Sequence, residues 1–307
     1  MYSVEEQALA QLVSAPDLAG DPSIAADFRR HYTETERQAA LIGARLEAHG
    51  ETPSAIKGAI MKLGGKGFLL FAQAMPETPG RLVAHAYSYE AMEWAGYEML
   101  IRFAEAAGDS ETASVARTIR DEERTMMERL EGAFDAAEQA SHRDNPPDPK
   151  GDDLRKHIAE AHALENQGIK LLGKSTEIAG EPEIGRIYSR NLARSRKNAE
   201  LLEGLLEKKG GSPSGIKDAA LGIGGLNWGF FFQGQADTPA KLAAFAYAYE
   251  HLKIAGYELL KRTAKRAGDV QTICLCEDLL AEERSMVKTL SGTFDAAVEA
   301  TLAAVHA

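Results

Sequence analysis

Apolar residues recur at helical rather than strand spacing along most of the chain, and turn residues separate the periodic stretches. Leu9 and Leu12 share a face with Glu5, which predicts a first helix with Ser3 as its N-cap and Glu5 and Glu6 in its first turn. It is expected to stop before AlaProAspLeuAlaGlyAspPro at 15–22, a turn-rich run. A second helix is predicted from about Ser23 to His49, ending at Gly50, with His31, Glu34, Gln38 and Leu41 at helical spacing. Residues 51–79 read differently. ThrProSer at 52–54 opens a short helix, Gly64 and Gly65 interrupt it, and the apolar GFLLFAQAM follows before ThrPro at 78–79. A third helix is predicted from about Pro79 to Ala107, a turn at Gly108 and Asp109, and a last helix from about Ser110 to Ala140.

The same order then returns. YSYEAMEWAGYEML at Tyr87–Leu100 reappears as YAYEHLKIAGYELL at Tyr247–Leu260, and GluGluArg at 122–124 as GluGluArg at 282–284. ProSer, GlyGly, ThrPro and GlyAsp pairs recur at the same constant offset, so loops as well as helices are duplicated. This gives a bundle at 1–140, a linker at 141–152 with three prolines, and a second bundle at 153–307. The alternation of short, long and short connections predicts an all-α fold of two tandem ferritin-like four-helix bundles, each with a long crossover between its second and third helices.

Composition narrows the function classes. A net charge of −11 with no basic stripe argues against nucleic acid as a partner, and the acidity is uneven, about −10 in residues 1–150 and −1 in the remainder. Cys274 and Cys276 are the two cysteines, and their i, i+2 spacing suits neither a disulfide framework nor a zinc knuckle. Neither a basic leader with an apolar core nor an apolar run of transmembrane length is seen, so a cytoplasmic protein is expected.

The candidate chemistry lies in the first copy's acids. A dinuclear site in a four-helix bundle takes carboxylates and imidazoles from facing helices, and the first copy offers Glu5, His31 with Glu34, Glu90 with Glu93, and Glu122 or Glu123. His31 and Glu34 share a face, although the His precedes the Glu. The order Glu5-Glu6-Gln7, His31-x-x-Glu34-Thr35-x-x-Gln38, Glu90-x-x-Glu93-x-Ala95-x-Tyr97 and Asp121-Glu122-Glu123 resembles the YciE/YciF-type stress proteins, a ferritin-like family. The resemblance spans both halves. It implies a bundle able to hold a di-iron or other di-metal site, and a tendency of bundles to pair.

The expected metal ligands are Glu5, His31, Glu34, Glu90, Glu93 and Glu123, with di-iron or di-manganese as the cofactor; no catalytic residue is assigned. The bland alternative is that several of these acids face solvent. In the second copy Asn191, Arg194, Asn198 and Lys253 replace His31, Glu34, Gln38 and Glu93, while Glu165, Glu250, Glu282 and Glu283 remain. Cations standing at ligand positions predict a buried polar network there and no metal. Tyr87, Tyr89 and Tyr97 could serve such a site as hydrogen-bond donors or redox neighbours, but they persist as Tyr247, Tyr249 and Tyr257 in the copy that has lost ligands, which favours packing roles; His85, replaced by Phe245, reads as a packing or surface residue. The apolar, Gly-rich crossovers GGKGFLLFAQAM and GIGGLNWGFFFQGQ are expected to pack on their own bundle or on the other copy, giving an internal pseudo-dimer; an apolar ligand groove and a partner surface are the alternatives. Further homo-oligomerisation is compatible with the family. Two functions emerge: a ferritin-like stress protein that oxidises iron or handles peroxide at the first copy, or a non-catalytic, partner-binding scaffold with both sites degenerate.

Overall fold

The computed structural model describes residues 1–52, 78–143, 151–173, 175–211 and 238–305. Every regular element among them is an α-helix, and the chain divides into two compact units, Met1–Asn145 and Pro146–Ala307. The first unit comprises α1 (Tyr2–Leu12), α2 (Ala15–Leu18), α3 (Pro22–Ala48), α4 (Thr78–Ala106) and α5 (Ser110–Ser141). The second comprises α6 (Asp152–Leu172), α7 (Ser175–Ile178), α8 (Pro182–Lys208), α9 (Pro239–Ala267), α10 (Val270–Ser291) and α11 (Phe294–Val305). The predicted short helix, the glycine interruption and the apolar crossover segments lie outside the described residues. Among the described residues no helix is long and apolar enough to cross a membrane.

Local chemistry sets most boundaries. Asp21 accepts hydrogen bonds from the Ser23 and Ile24 amides at 2.8 and 3.2 Å and Pro22 follows at the first helical position, which starts α3. Asp109 accepts from the Thr112 amide at 3.0 Å and starts α5, and Asp269 repeats this with Thr272 for α10. Three expectations need correction. Ser3 lies inside α1 and not at its cap, because the Val4 and Glu5 amides already bond the Met1 carbonyl at 2.7 and 3.2 Å. The expected turn at 15–22 holds one helical turn, α2, with Pro16 at its start. The last helix of the second copy is broken where that of the first is continuous. Thr293 stands where the first copy has Ala133, its hydroxyl donates to the Leu290 carbonyl at 2.7 Å, and its own carbonyl accepts from Ala297 as α11 begins.

Gly20, between α2 and α3, has φ +64°, and an added Cβ would lie 2.8 Å from Pro79 Cγ and 3.1 Å from Ala140 Cβ. Gly180 repeats this, 2.9 Å from both Pro239 Cγ and Ala300 Cβ. The missing side chain lets the turn sit on the start of α4 or α9 and fixes where that helix enters its unit. Within the first unit α1 packs on α3, α3 on α5 and α4 on α5; within the second, α6 packs on α8 and α9, and α9 on α10. Tyr87 meets Phe134 edge-on at 5.7 Å, and Tyr247 meets Phe294 at the same separation. Ile42, Tyr97, Ile101, Ala116 and Ile119 form an apolar cluster toward the α4–α5 turn. The buried acids of the first unit stand next to this apolar material.

Candidate metal centre

Four helices converge their acids on one place in the first unit. Helix α1 supplies Glu5, α3 supplies His31, α4 supplies Glu90 and Glu93, and α5 supplies Glu123, and all five are buried. The i, i+3 spacing on α4 puts Glu90 and Glu93 on one face, and on α5 the helical turn sends Glu123 inward while Glu122 stays near the surface with Arg37 and Gln38. His31, Glu90, Glu93 and Glu123 can each offer a ligand atom such that these atoms lie within 4.8 Å of one another. His31 Nε2 is 3.0 Å from Glu90 Oε2 and 3.6 Å from Glu123 Oε2. Glu34 stands at the rim, its side chain 27% exposed, with Oε2 3.3 Å from His31 Nδ1.

Carboxyl groups outnumber cations here, where the N-terminal ammonium works against the rise of Glu5 and Glu93 and His31 is the other positive group. Among the described residues no Lys or Arg pairs with Glu5, Glu90, Glu93 or Glu123. Burial pushes the Glu5 carboxyl up to about 7, despite the hydrogen bond it accepts from Tyr97. Burial and the neighbouring carboxylates raise Glu93 and Glu123 well above the ordinary range. Burial alone would lower His31, but Glu90 and Glu34 outweigh it and raise it well above its usual value. Oxygens of Glu5, Glu90, Glu93 and Glu123, and Nε2 of His31, lack aligned hydrogen-bond partners although they are buried. Hard oxygen donors and one imidazole form a donor set that could hold a divalent cation.

Two tyrosines hold the α1 contribution. Tyr89 donates to the Val4 carbonyl at 3.0 Å and Tyr97 donates to Glu5 Oε1, so α4 fixes both the backbone and the carboxylate at this point of α1. Sequence reasoning weighed these side chains as hydrogen-bond donors beside the site and favoured packing. The signal that could have found them is that Glu5 with Tyr97 and Glu165 with Tyr257 recur together. His85 is buried beside Gln11 at 3.1 Å, and burial lowers it to about 3, so of the packing and surface positions the sequence left open it takes the first, as a neutral core residue.

A family model described as Domain of unknown function (DUF892) matches residues 1–142 and again residues 152–303. The chain belongs to the DUF892 family. No solved structure matches it. The two matched segments repeat one DUF892 scaffold within a single chain.

The second DUF892 segment answers the same charge problem differently. Lys253 replaces Glu93 and is buried, its Nζ 2.9 Å from Glu250 Oε2, 3.1 Å from Glu283 Oε1 and 3.5 Å from Glu165 Oε2, and it donates to Ser195 Oγ at 3.3 Å. Arg194 replaces Glu34 and donates to Glu250 Oε2 at 3.0 Å and Glu283 Oε2 at 2.8 Å. Asn191, in place of His31, donates to Glu250 Oε1 at 2.9 Å. Tyr257 donates to Glu165 and Tyr249 to the Leu164 carbonyl, as Tyr97 and Tyr89 do in the first segment. Burial would raise Glu250, but Lys253 and its other partners hold it down at about 2, and the same carboxylates raise Lys253 against the cost of its burial. Glu283 is raised well above the carboxylate range by burial and by Glu250. Two side-chain cations, Lys253 and Arg194, thus stand against the buried Glu165, Glu250 and Glu283 of this centre.

Proposed function

We propose that the first unit is a ferritin-like carboxylate centre that binds two divalent metal ions, iron or manganese, and that the second unit is its metal-free structural copy. One observation carries this reading. Lys253 and Arg194 both contact Glu250 and Glu283, so two cationic heads share two carboxylates in the copy, and the equivalent carboxylates Glu90 and Glu123 of the first unit have neither cation. Repeat equivalence then makes Glu90 and Glu123, with Glu5, Glu93 and His31, the residues that would hold the ions. The resemblance to the YciE/YciF-type stress proteins supports the same assignment.

Bound iron or manganese would supply one-electron chemistry toward oxygen or peroxide. The protein's part is to hold the donors. Tyr97 keeps Glu5 Oε1 occupied and leaves Oε2 for the ion, and His31 presents Nε2 to the cluster. Burial strips water from the carboxylates, which raises their affinity for a multivalent cation and couples binding to loss of the protons they otherwise retain.

The test is metal analysis of protein purified without chelator, followed by ferrous iron uptake in air. About two ions per chain are expected, with loss of uptake in Glu90→Ala and Glu123→Ala and retention in Glu250→Ala. Metal content near zero in the wild type, with no uptake, would sink the reading.

A further inference from the structure

We infer that Glu34 is a positioning residue for His31 and not itself a metal ligand, an assignment that rests on the metal-binding reading above. The two imidazole nitrogens of His31 face different chemistry. Nε2 points to Glu90 and Glu123 inside the cluster, at 3.0 and 3.6 Å, and lacks an aligned hydrogen-bond partner. Nδ1 points the other way, to Glu34 Oε2 at 3.3 Å. An ionised carboxylate can only accept, so this contact requires the hydrogen on Nδ1. With hydrogen held on Nδ1, the nitrogen that can exchange its proton for a cation is Nε2, the one aimed at the acids. Glu34 therefore selects the ring orientation and the tautomer that can bind a cation.

Three further observations separate Glu34 from the ligands. Its side chain is partly exposed while Glu5, Glu90, Glu93 and Glu123 are buried. It also sits one helical turn from His31 on α3, so its reach to the imidazole is set by a single helix, with the His31 carbonyl further held by the Thr35 hydroxyl at 2.9 Å. The copy loses the two residues together, as Asn191 and Arg194, which fits a pair that works as one unit. A carboxylate behind a ligating histidine fixes the ring and raises its basicity, and losing such a partner weakens metal binding by roughly 10–100-fold.

The experiment uses the full chain with zinc alone as the probe. Titration calorimetry with wild type, Glu34→Gln and Glu34→Ala gives the number of ions and the affinity, and nitrogen NMR of the zinc-loaded protein, with the His31 signals identified by their loss in His31→Gln, gives the nitrogen that binds. Glu34→Gln keeps an acceptor for the Nδ1 hydrogen and is expected to retain the wild-type number of zinc ions with less than about a tenfold loss of affinity. Glu34→Ala is expected to retain the number and lose about 10–100-fold in affinity. The NMR signature expected is zinc on Nε2 and hydrogen on Nδ1. Loss of one zinc ion per chain in Glu34→Gln, unchanged affinity in Glu34→Ala, or zinc on Nδ1 would overturn the role of Glu34 alone. A wild type that binds no zinc would overturn the metal reading and this inference with it.

Discussion

Lys253 Nζ lies 2.9 Å from Glu250 Oε2, one turn back on the same helix, where the first unit pairs Glu90 with a second carboxylate, Glu93. A single position thus decides whether the buried acids share their helix with an ammonium or with more negative charge.

Lys253→Met should destabilise the second unit strongly. It would leave Glu165, Glu250 and Glu283 buried with Arg194 as the one remaining cation among their described partners. Removing one member of a buried charge network costs about 3–5 kcal/mol. Urea denaturation of the full chain should show the second unit's transition moving to lower denaturant with the first unit's unchanged.

Glu93→Lys is the reverse experiment. An ammonium carried at this position by α4 would face Glu90 and Glu123 as Lys253 faces Glu250 and Glu283. The variant should bind no metal at the Glu93 side and should unfold at higher urea than the metal-free wild type. A variant that still binds the full wild-type number of ions would show that Glu93 is not needed for either.

Metal should stabilise one unit only. A ligand that binds the folded state at a hundred times its dissociation constant adds about 2.7 kcal/mol. Calorimetric scans with excess manganese and with chelator should shift the first unit's transition and leave the second's in place. Equal shifts in both would contradict the separation of roles.

Tyr97→Phe should cost about 1–3 kcal/mol, because it leaves a buried carboxyl oxygen of Glu5 without its donor. Tyr257→Phe should do the same through Glu165. Equilibrium unfolding of the two variants tests both, and a cost near zero would return these tyrosines to a packing role.

The acid side of the stability profile should depend on Asp269. Partial burial works against its ionised form, but hydrogen bonds from Lys209 and the Thr272 amide outweigh this and lower its pKa below the ordinary 3.8. A group depressed on folding stabilises above its unfolded pKa, and that contribution is lost as pH falls from about 3.8 through the lower folded value. Asp269→Asn should be less stable than wild type at neutral pH, and the gap should close below pH 3.8. A gap that persists unchanged at pH 2 would argue against the linkage.

The helix ends were legible where a residue acts alone. Asp109 and Asp269 cap by their own side chains, and Gly50, Gly108 and Gly268 adopt positive φ that their neighbours in sequence foretell. Ser3 and the Gly292–Thr293 break were not legible, because each depends on which backbone groups were already bonded. Helical periodicity selected Glu5, His31, Glu90, Glu93 and Glu123, and the fold brings them together. Glu34, selected with them, stands at the rim beside His31 Nδ1, and i, i+3 spacing specifies a shared face and not which ring nitrogen a carboxylate meets. The partnership of Tyr97 with Glu5 was hidden for a similar reason: it joins residues far apart in sequence, and only the duplicated pair gives it away.

Lys253 is bonded to the chain it neutralises. Its ammonium is present at the carboxylates at a fixed effective concentration, and dilution, dialysis or competition from other ions cannot lower it. The counter-charge that Glu250 and Glu283 meet is therefore encoded in the gene and delivered at synthesis.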